Sequence, residues 1–282
     1  MHIGDPKELL KNNEFQQNYS ACCRDKGMVH KEFLGPDDHF KFTCRRTNEC
    51  CKNFSSTDRI ILDPYDVYRL SGRRKISTSK FMRDYAELTL DESTHFPIAL
   101  LKYKGNNRKN KCHFLRSYGC SVYEDRPLRC RLYPLGRILD KRKSYFMRLA
   151  NCSCDSHSDG RPWSVQDWIN DSQAEEYLDY QGLISEIYSR ADWASYRDLE
   201  REIKMEFGKA LYDLDRFLSN KSDDRRPISE GEIMLRLAHW VERFFEDHGC
   251  IRRKEESEID EKSGLLNSLE ADIAEKPELQ SV

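Results

Sequence analysis

The chain has 282 residues, of which 38% are hydrophobic and 34% charged, and its formal net charge is −2. This length fits one large domain or two smaller ones, and an aromatic content of 11% argues against wholesale disorder. The near-neutral charge gives no global attraction to nucleic acid or to a membrane surface.

Two absences from the sequence indicate a compartment. The amino terminus lacks the charged and apolar segments of a signal peptide, and no run of about 18 apolar residues occurs. We therefore expect a cytoplasmic protein with no membrane-spanning helix. Thiols stay reduced in the cytoplasm, so clustered cysteines there favour metal binding over disulfides.

Short strands and a helix are predicted before the main cysteine groups. Phe40–Cys44 and Arg59–Leu62 have the composition of strands. Asp63 and Pro64 are a favourable N-cap and first residue for a helix that we expect to end near Gly72.

A second helix and a further strand are predicted next. Ser77 or Thr78 would cap a helix whose apolar positions continue to Leu88 and Leu90. The stretch from Phe96 to Tyr103 is strand-like.

The middle of the chain is predicted to be irregular. A regular hairpin turning at Ser117-Tyr118 would displace Cys112 and Cys120 along the ladder, so we interpret this stretch as a knuckle rather than a hairpin. Pro127 is expected to open a short helical turn that presents Cys130.

Three amphipathic helices are predicted in the carboxy-terminal half. Ser164 would cap the first, whose apolar residues extend from Val165 to Ile184. The second is expected from about Ser195 to Leu218 and the third from about Ser229 to Asp247. Residues 251–282 are charged, lack aromatic side chains and are predicted to be disordered.

The expected fold class is α+β, with a small irregular metal-stapled cysteine-rich core followed by a helical region. Four segments are expected: an amino-terminal extension, a cysteine-cluster metal-binding domain, a helical region and a charged tail. Their limits are 1–39, 40–160, 161–250 and 251–282.

Eight cysteines in three groups carry the chemistry of the sequence. Thiolates are natural ligands of zinc and of iron–sulfur clusters, and each such site needs four of them as a rule. Eight candidates could therefore hold two sites, or one site with spare thiols. The candidate metal ligands are Cys44, Cys50, Cys51, Cys112, Cys120, Cys130, Cys152 and Cys154.

Other cysteines and histidines have simpler interpretations. Cys22, Cys23 and Cys250 lie outside the three groups and are interpreted as ordinary thiols, so we expect Cys250→Ser to change neither metal content nor yield. His113 and His157 sit beside cysteines and could replace one as a ligand, although a bystander role is more common for such histidines.

Arginines flank Cys130. Arg129 and Arg131 could donate N–H···S hydrogen bonds to a bound cluster and offset its negative charge. A solvated basic loop, or an ion pair with Glu124 or Asp125, is the alternative.

No catalytic signature accompanies the cysteines. The sequence has no Gly-rich phosphate loop, no Cys-x-x-Cys redox pair and no His-Glu-x-x-His motif, so it leaves open whether the protein is an enzyme. Its basic segments lack the ordered aromatic platform of single-strand binders, and we see no clear nucleic-acid signal.

These motifs together resemble the YkgJ-type cysteine-cluster family, a zinc- or iron-chelating CxxCxxCC domain. The match extends over about residues 40–185. The matching stretches are Phe42 to Cys51, Ile61 to Asp66, Cys112 to Leu115, Gly119 to Tyr123, Arg126 to Pro134, and Cys152 with Cys154. The family often has a further cysteine before the Cys-Cys pair, and Arg45 to Glu49 contains none.

The resemblance implies a metal-binding protein of bacteria or archaea that holds an iron–sulfur cluster, [4Fe–4S] foremost, with a redox or electron-transfer role and an unidentified protein or redox partner. The alternative is a zinc-stapled module that binds another protein without catalysis. A related cysteine cluster in flagellin lysine methylases implies a part in a protein-modifying system, although this chain shows no S-adenosylmethionine site.

Overall fold

A computed structural model describes residues 33–44, 46–54, 59–92, 94–104, 110–140, 143–148, 160–218 and 228–251. The predictions for residues 1–32 and for the tail beyond residue 251 lie outside these ranges. No helix within them is long and apolar enough to cross a membrane.

The described residues form eight α-helices and thirteen short strands. The helices are α1 Pro64–Arg74, α2 Thr78–Tyr85, α3 Leu128–Leu132, α4 Val165–Asp171, α5 Glu175–Arg190, α6 Trp193–Asp198, α7 Arg201–Leu211 and α8 Glu230–Asp247. The strands are β1 Phe33–Leu34, β2 His39–Lys41, β3 Lys52–Phe54, β4 Ile61–Leu62, β5 Ala86–Leu90, β6 Pro97–Leu101, β7 Tyr103–Lys104, β8 Asn110–Cys112, β9 Leu115–Arg116, β10 Gly119–Cys120, β11 Leu135–Asp140, β12 Lys143–Arg148 and β13 Pro162–Ser164.

The strands pair into small antiparallel sheets. Their orders are β1-β12-β11, β10-β9, β13-β2, β3-β8-β7 and β4-β6-β5. Helices and antiparallel sheets occur together along the chain, so the expected α+β class is confirmed.

A residue far along the chain, Tyr212, hydrogen-bonds to two strands of the β4-β6-β5 sheet. The hydroxyl of Tyr212, which follows α7, donates to the Leu62 carbonyl and accepts from the Ala99 N–H, both at 3.2 Å. Gly208 of α7 lies so close to the sheet that a Cβ there would be 2.5 Å from Pro97 Cβ. Helix α7 is therefore packed directly on β6.

One hydrophobic core joins the cysteine region to the helices. Buried side chains form a continuous cluster from Leu34 to Cys250, which crosses the domain limit expected at residue 160. Tyr65 of α1 packs edge-on against Tyr177 of α5, with ring centroids 4.8 Å apart. Its hydroxyl donates to Glu230 of α8 at 2.6 Å.

The predicted helix starts are confirmed at four caps. Asp63 precedes Pro64 at the start of α1, and its N–H donates to the Asp66 carboxylate at 2.9 Å. The hydroxyls of three serines accept backbone N–H groups at the starts of α2, α4 and α8. These N-caps are Ser77, Ser164 and Ser229.

Several predicted helix ends were wrong. Helix α1 passes through the exposed Gly72 and ends only where Lys75 adopts a left-handed φ of 54°. Helix α2 stops at Tyr85, and Leu88 and Leu90 belong to β5 instead. All five residues of β5 pair with β6, and this long-range pairing outweighs their helical spacing.

The long carboxy-terminal helices are also broken. Gln173, at a φ of 55°, separates α4 from α5 within the helix predicted up to Ile184. Leu199 and Glu200 are extended and separate α6 from α7 within the second predicted helix. Apolar spacing continues through both breaks because the segments pack against one core, so periodicity alone did not reveal them.

The stretch interpreted as a knuckle is a short hairpin. Strands β9 and β10 pair with Cys120 opposite Leu115, and Ser117-Tyr118 form the turn. Gly119 adopts a φ of 118°, which a residue with a side chain rarely takes, and so allows the tight return.

Candidate metal centre

The adjacent cysteines of the first group lie on a 3₁₀ turn, Glu49–Cys51. The Cys51 N–H donates to the Asn48 carbonyl at 2.9 Å. Sγ of Cys50 and Sγ of Cys51 are 3.9 Å apart. Both sulfurs of the pair are thus on the same side of the turn, although adjacent side chains point apart in extended backbone.

Strand pairing brings Cys51 towards Cys112. β3 begins directly after Cys51 and pairs with β8, with Lys52 opposite Lys111. Cys112 follows Lys111 as the last residue of β8 and is buried. Strand β8 pairs with both β3 and β7, and its pairing with β3 links the first cysteine group to the second.

The β9–β10 hairpin positions Cys120. The backbone N–H and the hydroxyl of Ser121 both donate to the Phe114 carbonyl, at 3.0 and 2.9 Å. Phe114 is itself buried in the core. This anchor holds Cys120 where its charge acts on Cys112, the last residue of the preceding strand β8.

Helix α3 presents Cys130, as predicted from Pro127. The first N–H of the helix, on Leu128, donates to Asp66 Oδ1 at 2.8 Å. The carbonyl at its end, on Leu132, accepts from Trp168 Nε1 at 3.0 Å. Both ends of this short helix are therefore held by other elements.

The sulfurs of these cysteines interact electrostatically. The hydrogen bond with Cys50, then burial, then the charges of Cys50, Cys130 and Cys112 raise the pKa of the Cys51 thiol. Burial, together with the charges of Cys120 and Cys50, raises the pKa of Cys112 to about 11. Each of these thiolates would thus be destabilised by its neighbours.

The other two thiols behave in the same way. Burial raises the pKa of Cys130 well above its usual range, and the charges of Cys112, Cys50 and Cys120 raise it further. Burial also raises the pKa of Cys120, helped by Cys50. The structure therefore places five of the eight predicted ligands within electrostatic range of one another, and burial favours the neutral thiol at Cys51, Cys112, Cys120 and Cys130.

Comparison with protein families identifies this region. Residues 43–155 match the family model CxxCxxCC, described as "Putative zinc- or iron-chelating domain". We therefore refer to residues 43–155 as the CxxCxxCC domain, after the model that they match. The match includes all eight cysteines of the three groups and confirms the resemblance seen in the sequence. No curated protein and no solved structure matches the chain.

Three predicted ligands of the CxxCxxCC domain lie apart from this cluster or outside the description. Cys44 is exposed and lines a pocket that contains none of the other described cysteines. Cys152 and Cys154 fall outside the described residues, as do Cys22, Cys23 and His157.

The N–H groups of the Arg131 guanidinium all donate hydrogen bonds to oxygen atoms. It is buried and donates to the carbonyls of Arg126, Ser172, Gln173 and Glu124. It also donates to the Tyr177 hydroxyl at 3.1 Å. These bonds use its five N–H groups, so it fixes the loop around α3 and has none left for a cysteine sulfur.

Other arginines of the CxxCxxCC domain act on the cluster. The positive charges of Arg126 and Arg116 lower the pKa of Cys120 against the effect of burial. Arg129 is exposed; burial raises the pKa of Asp63, and the charge of Arg129 opposes that rise. The sequence did not indicate a role for Arg116, because a hairpin turn separates it from Cys120 and only the folded hairpin brings the two residues together.

His113 is a neutral side chain beside the cluster. Burial and the nearby charges of Lys104, Arg116 and Arg74 lower its pKa to about 4. Its ring packs edge-on against Tyr85, with centroids 4.7 Å apart. This packing accounts for its position without a metal.

The described part of the CxxCxxCC domain contains no group of three His, Cys, Asp or Glu side chains arranged closely enough to hold a metal ion. The chemistry of the donors nevertheless fits a soft cation. Several buried thiols that oppose one another's ionisation lose their protons most readily to a metal that neutralises the thiolates.

Proposed function

We propose that the CxxCxxCC domain binds an iron–sulfur cluster, of the [4Fe–4S] type, and serves in electron transfer or redox chemistry. The observation that supports this is the electrostatic influence that five cysteines from four separate elements have on one another. All-sulfur ligation is typical of such clusters.

Four of these cysteines are the proposed ligands. The charge of Cys50 raises the pKa of each of the other thiols, and Cys112, Cys120 and Cys130 come from three separate elements. Cys51 is hydrogen-bonded to Cys50 and is assigned the role of a neighbour that supports it. Four thiolates complete a [4Fe–4S] site.

The positive charges of Arg116 and Arg126 support the same proposal. A [4Fe–4S] cluster with four thiolates carries net negative charge, which nearby guanidinium groups offset. Both arginines act on Cys120. They would favour the reduced state of the cluster and so raise its potential.

The metal is also proposed to staple the core. The elements that carry Cys50, Cys112 and Cys120 are only two or three residues long, so their own hydrogen bonds supply little stability. Metal binding contributes folding free energy to such sites. Amide exchange should therefore rise in residues 110–132 on chelation, with residues 230–247 protected as before. Unchanged exchange in residues 110–132 would refute the staple.

A zinc-stapled binding module is the second candidate. Two thiolates of a tetrahedral zinc site lie about 3.8 Å apart, given Zn–S bonds of about 2.3 Å. The separation of the Cys50 and Cys51 sulfurs, 3.9 Å, is close to that spacing. In this case both adjacent cysteines would be ligands.

Metal analysis after anaerobic purification separates the two candidates. An iron–sulfur protein should contain about four iron and four acid-labile sulfide per cluster, with broad thiolate-to-iron absorption. Stoichiometric zinc without sulfide would overturn the iron–sulfur proposal and support the zinc module. Cys51→Ser refines the result, because it should leave an iron–sulfur cluster in place and remove a zinc ion that uses both neighbours.

A further inference from the structure

A pocket of about 420 Å³ is lined by Cys44, and none of the five thiols discussed above is among its lining residues. Three arginines and three of its four aromatic residues form much of its wall. These residues are Arg46, Arg126, Arg161, Tyr123, Trp163 and Trp168. Its volume is in the range of small-molecule sites in proteins, which is about 300–1,000 Å³.

Close backbone packing builds one wall of the pocket. A Cβ at Gly160 would lie 2.6 Å from the backbone nitrogen of Phe42, so only glycine fits there. The Phe42 N–H donates to the Arg161 carbonyl at 3.1 Å, and Trp163 Nε1 donates to the Phe42 carbonyl at 3.0 Å. These contacts fix Arg161 and Trp163 at the rim.

The three guanidinium groups lie on aromatic rings. That of Arg161 is 3.3 Å from the centroid of the Trp163 ring. Those of Arg126 and Arg46 are 4.2 and 5.3 Å from the centroid of one ring, that of Tyr123. Two cations sharing a ring repel each other, and an anion between them would offset that repulsion.

No carboxylate within the described residues forms an ion pair with these arginines. Arg126 donates to the carbonyls of Tyr123 and Ser172, at 2.9 and 3.4 Å. Glu124 and Asp171 also line the pocket but are exposed to solvent. The pocket thus has a net positive lining of guanidinium groups whose charges are not neutralised by the described part of the protein.

We infer that this pocket binds a small organic anion that carries phosphate or carboxylate groups. Guanidinium groups match both groups with paired N–H donors, and the aromatic side chains hold their planes in place. Trp168 supplies an apolar wall for the remainder of the ligand. The pocket shares Arg126 with the surroundings of Cys120, but none of the five thiols discussed above lines it, and the inference does not depend on which metal is bound.

Calorimetric titration of the protein with its native metal content tests the inference. Pyrophosphate represents the phosphate class and citrate the carboxylate class. At low salt, at least one should bind saturably, and the one that binds identifies the class. Arg161→Gln and Arg46→Gln should each weaken that binding by about tenfold or more, since each removes a charge-assisted contact. Arg83→Gln is the matched control, because Arg83 is exposed on α2 and pairs with Asp84.

Three results would overturn the inference: no saturable binding of either probe, unchanged binding in both pocket variants, or an equal loss in Arg83→Gln. Arg46 is exposed, so Arg46→Gln remains informative even where Arg161→Gln disturbs the fold. Metal content, measured in each sample, shows separately whether the metal proposal fails.

Discussion

The carboxylate of Asp66 on α1 holds the start of α3, because its Oδ1 accepts the N–H of Leu128 at 2.8 Å. Its other oxygen accepts the N–H of Asp63 at 2.9 Å. Asp66 is fully buried, so it joins the helix start predicted from Asp63-Pro64 to the turn that carries Cys130. One side chain thereby positions a proposed ligand without contacting its sulfur.

Asp66→Ala should lower both stability and metal occupancy. Leaving two buried N–H groups without an acceptor costs about 1–3 kcal/mol each. Urea denaturation and metal content per chain measure the two effects. Asp84→Ala is the control, since Asp84 lies on the surface of α2 and pairs with Lys80, and it should change stability by less than about 0.5 kcal/mol. Full metal occupancy in Asp66→Ala would contradict the positioning role.

The same carboxyl group should make stability fall as pH rises. Burial and the charge of Asp63 raise the pKa of Asp66 to about 8, against the opposing charge of Arg131. A pKa raised in the folded state means that folding takes up a proton, so this stability is fully present below about pH 4 and lost as pH rises through 8. The slope for one proton is about 1.4 kcal/mol per pH unit.

Comparison with Asp66→Asn isolates that proton. Between pH 4.5 and 8.5, the unfolding free energy of the native protein should fall relative to that of the variant, because the variant lacks the titrating group. Parallel curves would show that Asp66 ionises normally. Asp63 and Cys130 also act on this carboxyl group, so both proteins need equal metal loading.

Two helical glycines should respond oppositely to alanine. In α7, the new methyl of Gly208→Ala would lie 2.5 Å from Pro97 Cβ, and overpacking of this kind costs about 1–3 kcal/mol. In α1, Gly72→Ala meets nothing within 4 Å and should gain about 0.4–1 kcal/mol from helix propensity and reduced unfolded-state entropy. Denaturant unfolding gives both values, and a stabilised Gly208→Ala would contradict the close packing of α7 on β6.

Cys130→Ser should lose metal because a hydroxyl replaces a soft thiolate poorly. Cys250→Ser should keep its metal, since Cys250 ends the helical region and donates to the His248 carbonyl at 3.3 Å. Cys250 is fully buried, however, and this revises the expectation of unchanged yield: a buried hydroxyl there should cost about 1 kcal/mol. Metal per chain and thermal unfolding, measured side by side, separate the two roles. Loss of metal from Cys250→Ser would show that the cysteines are wrongly divided.

Local signals in the sequence predicted the parts of the site that depend on neighbours in the chain. Asp63-Pro64 started α1, and Pro127 preceded the turn that carries Cys130, because capping and proline geometry act within a few residues. The approach of Cys51 to Cys112 was not predictable in this way. It depends on β3 and β8, which are three residues long and have no alternating pattern.

The arginines show the same limit. Arg131 flanks Cys130 in the sequence, yet burial directs its guanidinium to backbone carbonyls and Tyr177. Arg116 and Arg126 reach Cys120 through a hairpin and a turn. The direction of a side chain depends on which polar groups the fold leaves without partners, and adjacency in sequence does not report it.

The two hydrogen bonds between Tyr212 and the β4-β6-β5 sheet have a consequence for folding during synthesis. Roughly 80 residues separate Cys130, the last described cysteine of the cluster, from Tyr212. At about 5–20 residues per second, the ribosome therefore needs about 4–16 s after Cys130 to reach Tyr212. During that interval the sheet has open backbone groups at Leu62 and Ala99, and the nascent thiols have no finished core around them. Exposure to oxidants or to a competing metal in the growing chain is therefore greatest before α7 has been synthesised.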